Sequence, residues 1–449
     1  MPSAALASTL PKRDQDGFWL DGLAGEGHGT TALTELRKQQ LVLLGRGRRG
    51  TADVVVDGKK YREAEATHAR QRRQTRASST ISWYPTGAMS EPSPFCAEVL
   101  KAGARGYAAV AVEKLFAQFP ELDRRFAPNA SSKWRDNLLA RIQYLAASVD
   151  TGHHVGFVQH VAWEKIALMA RGGDEACRDL ECSLRVLRET LAAELPVNAS
   201  AAALQCLDLT LERFHAMPTD VSMELDTSTP AGTLGAKYLL AVLEGDRRAA
   251  CELILDAAKG QSAITGTLTV TEICERVLGP VQIELGRMWR LNQISIAEEH
   301  FATETTQTAI SMLYLHLAQR PRHGKVALCA CVESNAHDVG VRMVAAALED
   351  SGWRAICLGQ NVPIDDLARA AADFQVDLIA LSGSLITHVP LIGAAIARLR
   401  EAAPNAKIMV GGLAFAGSSL DQQLGADASA SSIADVVAVA NRLVGLQTP

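Results

Sequence analysis

The stretch CVESNAHDVGVRMVAAALEDSGWRAICLGQNVP, residues 331–363, runs from an apolar segment through a polar corner into a helical pattern and out to a second apolar segment. One histidine, His337, stands at that corner. The alternation recurs on both sides: KVALCAC, RAICLG, VDLIALSGS and KIMVGG are short apolar runs, each followed by a helix-like stretch. Runs rich in Val, Ile, Leu and Ala without period-two alternation are what a parallel sheet covered on both faces requires. Residues 323–449 are therefore expected to form a doubly wound α/β domain. Ligands of such domains sit at the carboxyl ends of the strands, where the His337 corner lies.

Upstream, residues 231–322 contain four helical segments: LGAKYLLAVLEG, DRRAACELILDAAKG, TVTEICERVLGPVQIELGRMWRLN and IAEEHFATETTQTAISMLYLHLAQR. Asp246 and Thr269 stand where N-caps belong. The polar, proline-bounded stretch MPTDVSMELDTSTPAG places a linker at 218–230. From 93 to 217 apolar residues recur at three and four spacing, the period of a helical bundle. Residues 1–92 mix arginine, serine and glycine without a sustained period and read as a mostly disordered tail. The basic cluster Arg70 to Arg76 in it is a solvated tail or a nucleic-acid arm, and Met89 is an alternative start. The expected chain is multidomain: an α-helical bundle, a four-helix unit, and a doubly wound (flavodoxin-like) parallel sheet.

Composition narrows the function classes. With 449 residues, 48% of them hydrophobic, the chain can build two or three cores. A formal charge of −5 gives no electrostatic footprint for nucleic acid. No segment approaches the roughly eighteen uninterrupted apolar residues of a membrane span. The N-terminus lacks an apolar signal core, and the nine cysteines lie mostly inside apolar patterns, which suits reduced thiols in a cytoplasm. Cys329 and Cys331 form C-x-C without the second pair a zinc site needs. No nucleophile–base motif and no DNA-binding helix-turn-helix is legible, so the chain is not read as an enzyme.

Asn335, His337 and Gly340 spell N-x-H-x-x-G, with Asp338 beside the histidine. Forty-one residues then separate Gly340 from Ser382, and twenty-eight separate Ser382 from the pair Gly411 and Gly412. Such a set suits a long, flat ligand whose tail enters the sheet: small residues line a slot, a hydroxyl binds the tail, and a histidine reaches outward.

On these residues the segment 324–446 resembles the cobalamin-binding domain of methionine synthase, the corrinoid shuttle proteins and the base-off mutases. Their pattern is D-x-H-x-x-G, about forty residues, S-x-L, under thirty residues, then G-G. The resemblance implies that His337 replaces the dimethylbenzimidazole base as lower axial ligand of cobalt. It also implies that Ser382, Gly411 and Gly412 surround the nucleotide tail, with Asp338 and Gly340 among the cofactor contacts. Neutral imidazole is a usual nitrogen ligand for such a metal. Two departures stand out. Asn335 replaces the family's aspartate, so it can accept a hydrogen bond but carries no charge, which implies a less basic imidazole. The S-x-L slot reads Ser382, Gly383, Ser384, with Leu385 one place late, and either Ser384 or Thr387 supplies a further hydroxyl.

The helical unit at 231–322 resembles the cap of cobalamin-dependent photoreceptors, carried by Trp289, nine intervening residues, and then Glu299 and His300. There the arrangement encloses a 5'-deoxyadenosyl group: an indole offers a stacking surface, and a carboxylate accepts from ribose hydroxyls. Arg290 stands where some light-sensing caps carry a cobalt-capturing histidine. A guanidinium cannot ligate the metal, so that role falls to another side chain such as His300, or to water. The run from YLAASVDTGHHVGFVQHVAWEK onward resembles the region ahead of the cap in photocobilins, which pair cobalamin with biliverdin. On that resemblance His153, Phe157, His160 and Trp163 are candidate contacts for a linear tetrapyrrole, with Phe157, Val161 and Lys165 along one side of their helix. Attachment would be non-covalent or through Cys177, Cys182 or Cys206. The expected function is a light sensor holding adenosylcobalamin, a homo-oligomer with a light-dependent state and an unidentified downstream protein partner. The alternatives are a corrinoid methyl carrier of a methyltransferase system and a cobalamin storage protein.

Overall fold

A computed structural model describes residues 90–223, 225–314 and 322–446. The tail, including the Arg70 to Arg76 cluster and Met89, lies outside the described residues up to position 89.

The first unit is a helical bundle of α1 (Pro94–Gln118), α2 (Pro120–Arg125), α3 (Ala130–Asp150), α4 (His154–Glu194) and α5 (Val197–Arg213). Helix α4 breaks at Gly173, whose φ of 62° and ψ of −152° belong to no helix and suit a residue without a Cβ. The N-terminal half of α4 is buried on almost every side.

The second unit is the cap: α6 (Pro230–Leu243), α7 (Arg247–Lys259), α8 (Val270–Ile273), a π-helical turn (Cys274–Leu278), α9 (Gly279–Arg290) and α10 (Ile296–Tyr314). The Asp246 side chain accepts from the Ala249 amide at 2.9 Å. Thr269 and Glu272 form a reciprocal capping box. The π turn follows from Pro280, which has no amide proton to donate to a preceding carbonyl. The ladder widens there, and the Gly279 amide donates five residues back to the Cys274 carbonyl.

The third unit alternates strand and helix: β1 (Val326–Val332), α11 (Val339–Asp350), β2 (Arg354–Val362), α12 (Ile364–Asp373), β3 (Leu378–Ser382), α13 (Val389–Ala402), β4 (Lys407–Gly411), α14 (Leu420–Gln423), β5 (Ala428–Ala430) and α15 (Ile433–Leu443). All neighbouring strands pair in parallel, in the order β2-β1-β3-β4-β5. That is the flavodoxin-like winding expected from the sequence. The sequence showed four strands and the sheet has five. The three residues of β5, Ala-Ser-Ala, sit at an edge and pair only with β4, so no apolar run marks them.

Side chains of β1 alternate between two cores. Leu328, Ala330 and Val332 join a core continuous with the bundle. Ala327, Cys329 and Cys331 pack with Val341 and Leu348 of α11 and with Val436 of α15. The cap has its own core, extended onto α11 through Met343 and Ala346. The nine cysteines are free thiols. Among the described residues, no helix is long and apolar enough to cross a membrane.

Candidate functional site

A cavity of about 1110 Å³ opens at the carboxyl ends of β3 and β4, and all three units contribute to its wall. The α/β domain supplies Gly340, Ser382, Ser384, Gly411 and Gly412, five residues singled out by the sequence. The cap supplies Cys274 and Glu275 from the π turn, Pro280 and Ile283 from α9, and Trp289 with Arg290 at the end of α9. The bundle supplies Tyr144, His153, His160, Trp163 and Glu164.

The glycines shape this space in two ways. Gly412 has φ of 94°, and a Cβ there would lie 2.4 Å from the Gly383 carbonyl oxygen. Only glycine lets the ends of β3 and β4 approach so closely. A Cβ on Gly340 would meet nothing within 4 Å, so this residue presents open backbone to the cavity.

His337 is half-buried at the β1–α11 corner; it is not itself part of the cavity wall, which begins two residues on with Val339 and Gly340. Its loop is fixed through the fully buried Asn335. The Asn335 carboxamide donates to the Ser382 carbonyl at 2.8 Å and accepts from the His337 amide at 3.1 Å. The charge missing from this position is therefore missing from a backbone anchor. Asp338 is buried and does not line the cavity: it accepts from Arg342 at 2.8 Å and from Gln307 of the cap helix α10 at 2.7 Å. Ser384 lines the cavity, whereas Thr387, in the short turn Ile386–His388, does not.

Of the motif on the cap, Trp289 lines the cavity and the Glu299–His300 pair lies outside its wall. His300 Nδ1 is 2.6 Å from Glu299 Oε2, and Thr303 donates to the other carboxylate oxygen at 2.7 Å. The His300 side chain is largely exposed. Arg290 stacks on Trp163 of the bundle, guanidinium carbon 3.4 Å from the ring centroid. Arg171 of α4 donates to the Trp289 and Arg290 carbonyls at 3.0 and 2.7 Å, adding a side-chain cap to the C-terminal end of α9. Bundle and cap are thus clamped at the residue facing the cavity. The sequence carried no sign of this, since more than a hundred residues separate the partners.

The bundle wall is equally specific. The His160 and Tyr144 rings stack with centroids 3.5 Å apart. His153, His160 and Trp163 face the cavity, but Phe157 is fully buried in the bundle core. Lys165 is likewise turned inward: its ammonium donates to the Phe214 and Met217 carbonyls at 2.8 and 3.1 Å, and burial pushes its pKa down. These two residues fell on the core side because α4 is buried nearly all round, which leaves little contrast in its periodicity. Cys177 and Cys206 are buried and Cys182 is half-buried, and none of the three lines the cavity.

A bare metal ion would find too few ligands here. Among the described residues no group of three or more His, Cys, Asp or Glu side chains gathers to hold one. A single imidazole beside a slot floored by glycines fits a metal whose remaining ligands arrive with it, in a macrocycle. The apolar rim is consistent with such a plane: Ile283 and Leu413 line the cavity yet are 55% and 56% exposed.

Residues 325–438 match a family described as a B12 binding domain, and residues 234–314 match a second family of the same description. The HTH-type transcriptional repressor CarH of Myxococcus xanthus is 30% identical over 142 residues, which are 31% of this chain and 46% of the repressor. The chain thus spans under half the length of that relative. Dimethylamine corrinoid protein 1 of Methanosarcina acetivorans is 26% identical over 40% of this chain and 85% of its own. Dimethylamine corrinoid protein 3 of Methanosarcina mazei is 30% identical over 25% of this chain and 68% of its own.

Proposed function

This chain belongs to the B12-binding family, its cap and α/β domains forming a cobalamin-binding unit, and on that premise we propose that it is a light sensor. The cofactor form is adenosylcobalamin, which supplies a cobalt–carbon bond that visible light breaks. The protein's own residues do the rest. His337 would supply the protein's nitrogen to the cobalt, and Ser382, Ser384, Gly411 and Gly412 would hold the nucleotide tail. Trp289 faces the upper group. The observation that carries the reading is the clamp: the cavity-facing Trp289 and its neighbour Arg290 are tied by backbone and ring contacts to Arg171 and Trp163. A change of packing at Trp289 must then move or break a contact with the bundle. The packing of cap on bundle is the two-state element that the cofactor biases.

The bundle wall also supports a second chromophore, a linear tetrapyrrole such as biliverdin. Its rings would lie against Tyr144, His160 and Trp163, and attachment would be non-covalent. Biliverdin added to the cobalamin-free protein is expected to give a sharpened, red-shifted band that survives desalting; biliverdin that washes off on desalting would remove the bilin from the reading.

A corrinoid methyl carrier is the second reading, favoured by the dimethylamine corrinoid relatives. Against it, bundle side chains form part of the wall that a methyltransferase would have to reach. Size-exclusion chromatography before and after green light, with adenosylcobalamin and with methylcobalamin, separates the two. A light-dependent shift with the adenosyl form alone is expected. Identical profiles in all four conditions would put the carrier or storage reading ahead.

A further inference from the structure

Between β3 and α13 lies the turn Ile386–His388, whose last residue is 3% exposed. The Ser384 and Leu385 amides, at the carboxyl end of β3, both donate to His388 Nδ1 at 3.2 Å. The His388 amide donates back to the Leu385 carbonyl at 2.9 Å. A ring nitrogen that accepts from two amides carries no proton, so the imidazole is the tautomer protonated on Nε2. The ring thus closes a loop whose amides point inward, where unpaired donors are costly.

The closed loop reaches further. Ser384 Oγ lies 3.4 Å from Asn335 Oδ1, the oxygen that accepts from the His337 amide. Asn335 also donates to the carbonyl of Ser382 in the same strand end. A continuous path therefore runs from the His388 ring through the Ser384 backbone to the loop bearing His337.

From this geometry we infer that His388 is a positioning residue for cobalamin: it sets the tail slot and the His337 loop in register with each other, without touching the cofactor. The inference rests on the cobalamin-binding reading with His337 as the lower ligand. Removing the acceptor frees two amides, lets Ser384 turn away from Asn335, and loosens both ends of the site at once. Residues that orient a metal ligand from behind typically cost about 10–100-fold in affinity when lost.

His388→Leu keeps the bulk and removes the acceptor; His388→Asn keeps an acceptor near the position of Nδ1. Hydroxocobalamin affinity reads the site as a whole, and the nitrogen splitting of protein-bound cob(II)alamin at saturation by electron paramagnetic resonance reads the lower ligand alone. The Leu variant is expected to bind about 10–100-fold more weakly and to lose part of the splitting at saturation. The Asn variant is expected to retain both. Wild-type affinity and splitting in His388→Leu would overturn the inference, as would an Asn variant as impaired as the Leu variant. A wild-type protein that binds cobalamin without nitrogen splitting would overturn the His337 assignment itself, and this inference with it.

Discussion

Replacing His337 by alanine is expected to abolish the nitrogen splitting of bound cob(II)alamin and to weaken cobalamin binding by more than the roughly 10–100-fold typical of losing an outer partner. Among the described residues of the corner, 333–340, His337 carries the one imidazole, so no second neutral nitrogen ligand stands there to replace it. Residual binding should persist, because the slot at Ser382, Gly411 and Gly412 is built from backbone that the substitution does not touch. Gly412 is held by its own conformation and by its approach to the Gly383 carbonyl. Asn335 would still anchor the loop through the residue-337 amide. Electron paramagnetic resonance at saturating cobalamin is the measurement. Splitting that survives in His337→Ala would mean that another nitrogen holds the cobalt.

The largest stability effect is expected in the bundle. Glu164→Leu should destabilise the protein by about 3–5 kcal/mol, the usual cost of leaving a buried ion without its partner. Both Glu164 carboxylate oxygens accept from Arg141 Nε, at 3.0 and 3.1 Å. Arg141 is fully buried and Glu164 is 4% exposed. Burial pushes the Glu164 carboxyl up in pKa, and Arg141 opposes that shift. Without the carboxylate, the guanidinium retains a hydrogen bond to Ser183 at 2.9 Å but no countercharge. Adding Arg141→Met should recover much of the loss, since an apolar pair of similar volume is often neutral. Urea unfolding of the two single variants and the double variant is the test. A Glu164→Leu midpoint equal to wild type would mean that water already reaches this pair.

The legible parts of this protein share a physical reason: they are written in local pattern. Four apolar runs, the N-caps Asp246 and Thr269, and the spacing from Gly340 through Ser382 to Gly411 each depend on neighbours within one segment or on a fixed count between segments. The cavity residues Trp289, His153, His160 and Trp163 are also legible, Trp289 through its spacing to Glu299 and His300 and the other three through the overall pattern of their helix. Other features were out of reach for the opposite reason. Arg171 caps a helix in a different unit, and nothing around it in the chain marks that partner. His388 acts through one ring nitrogen in a turn without a sequence signature. Phe157 sat among cavity candidates because a helix buried nearly all round offers no polar face to separate slot from core. The Glu299–His300 pair points to a different difficulty. A count of residues places a pair on a helix, but which wall that helix presents depends on packing.

The shared cavity wall has a consequence in time. A molecule filling the cavity against bundle, cap and α/β domain together would leave most readily when those units part. Its residence is then governed by how often the units open, and contact strength enters mainly through that frequency. The clamp from Arg171 to α9 spans one of those seams. In the light-sensor reading, retention of the cofactor and readiness to rearrange would be two settings of one latch: a tighter clamp would prolong occupancy and slow the response together.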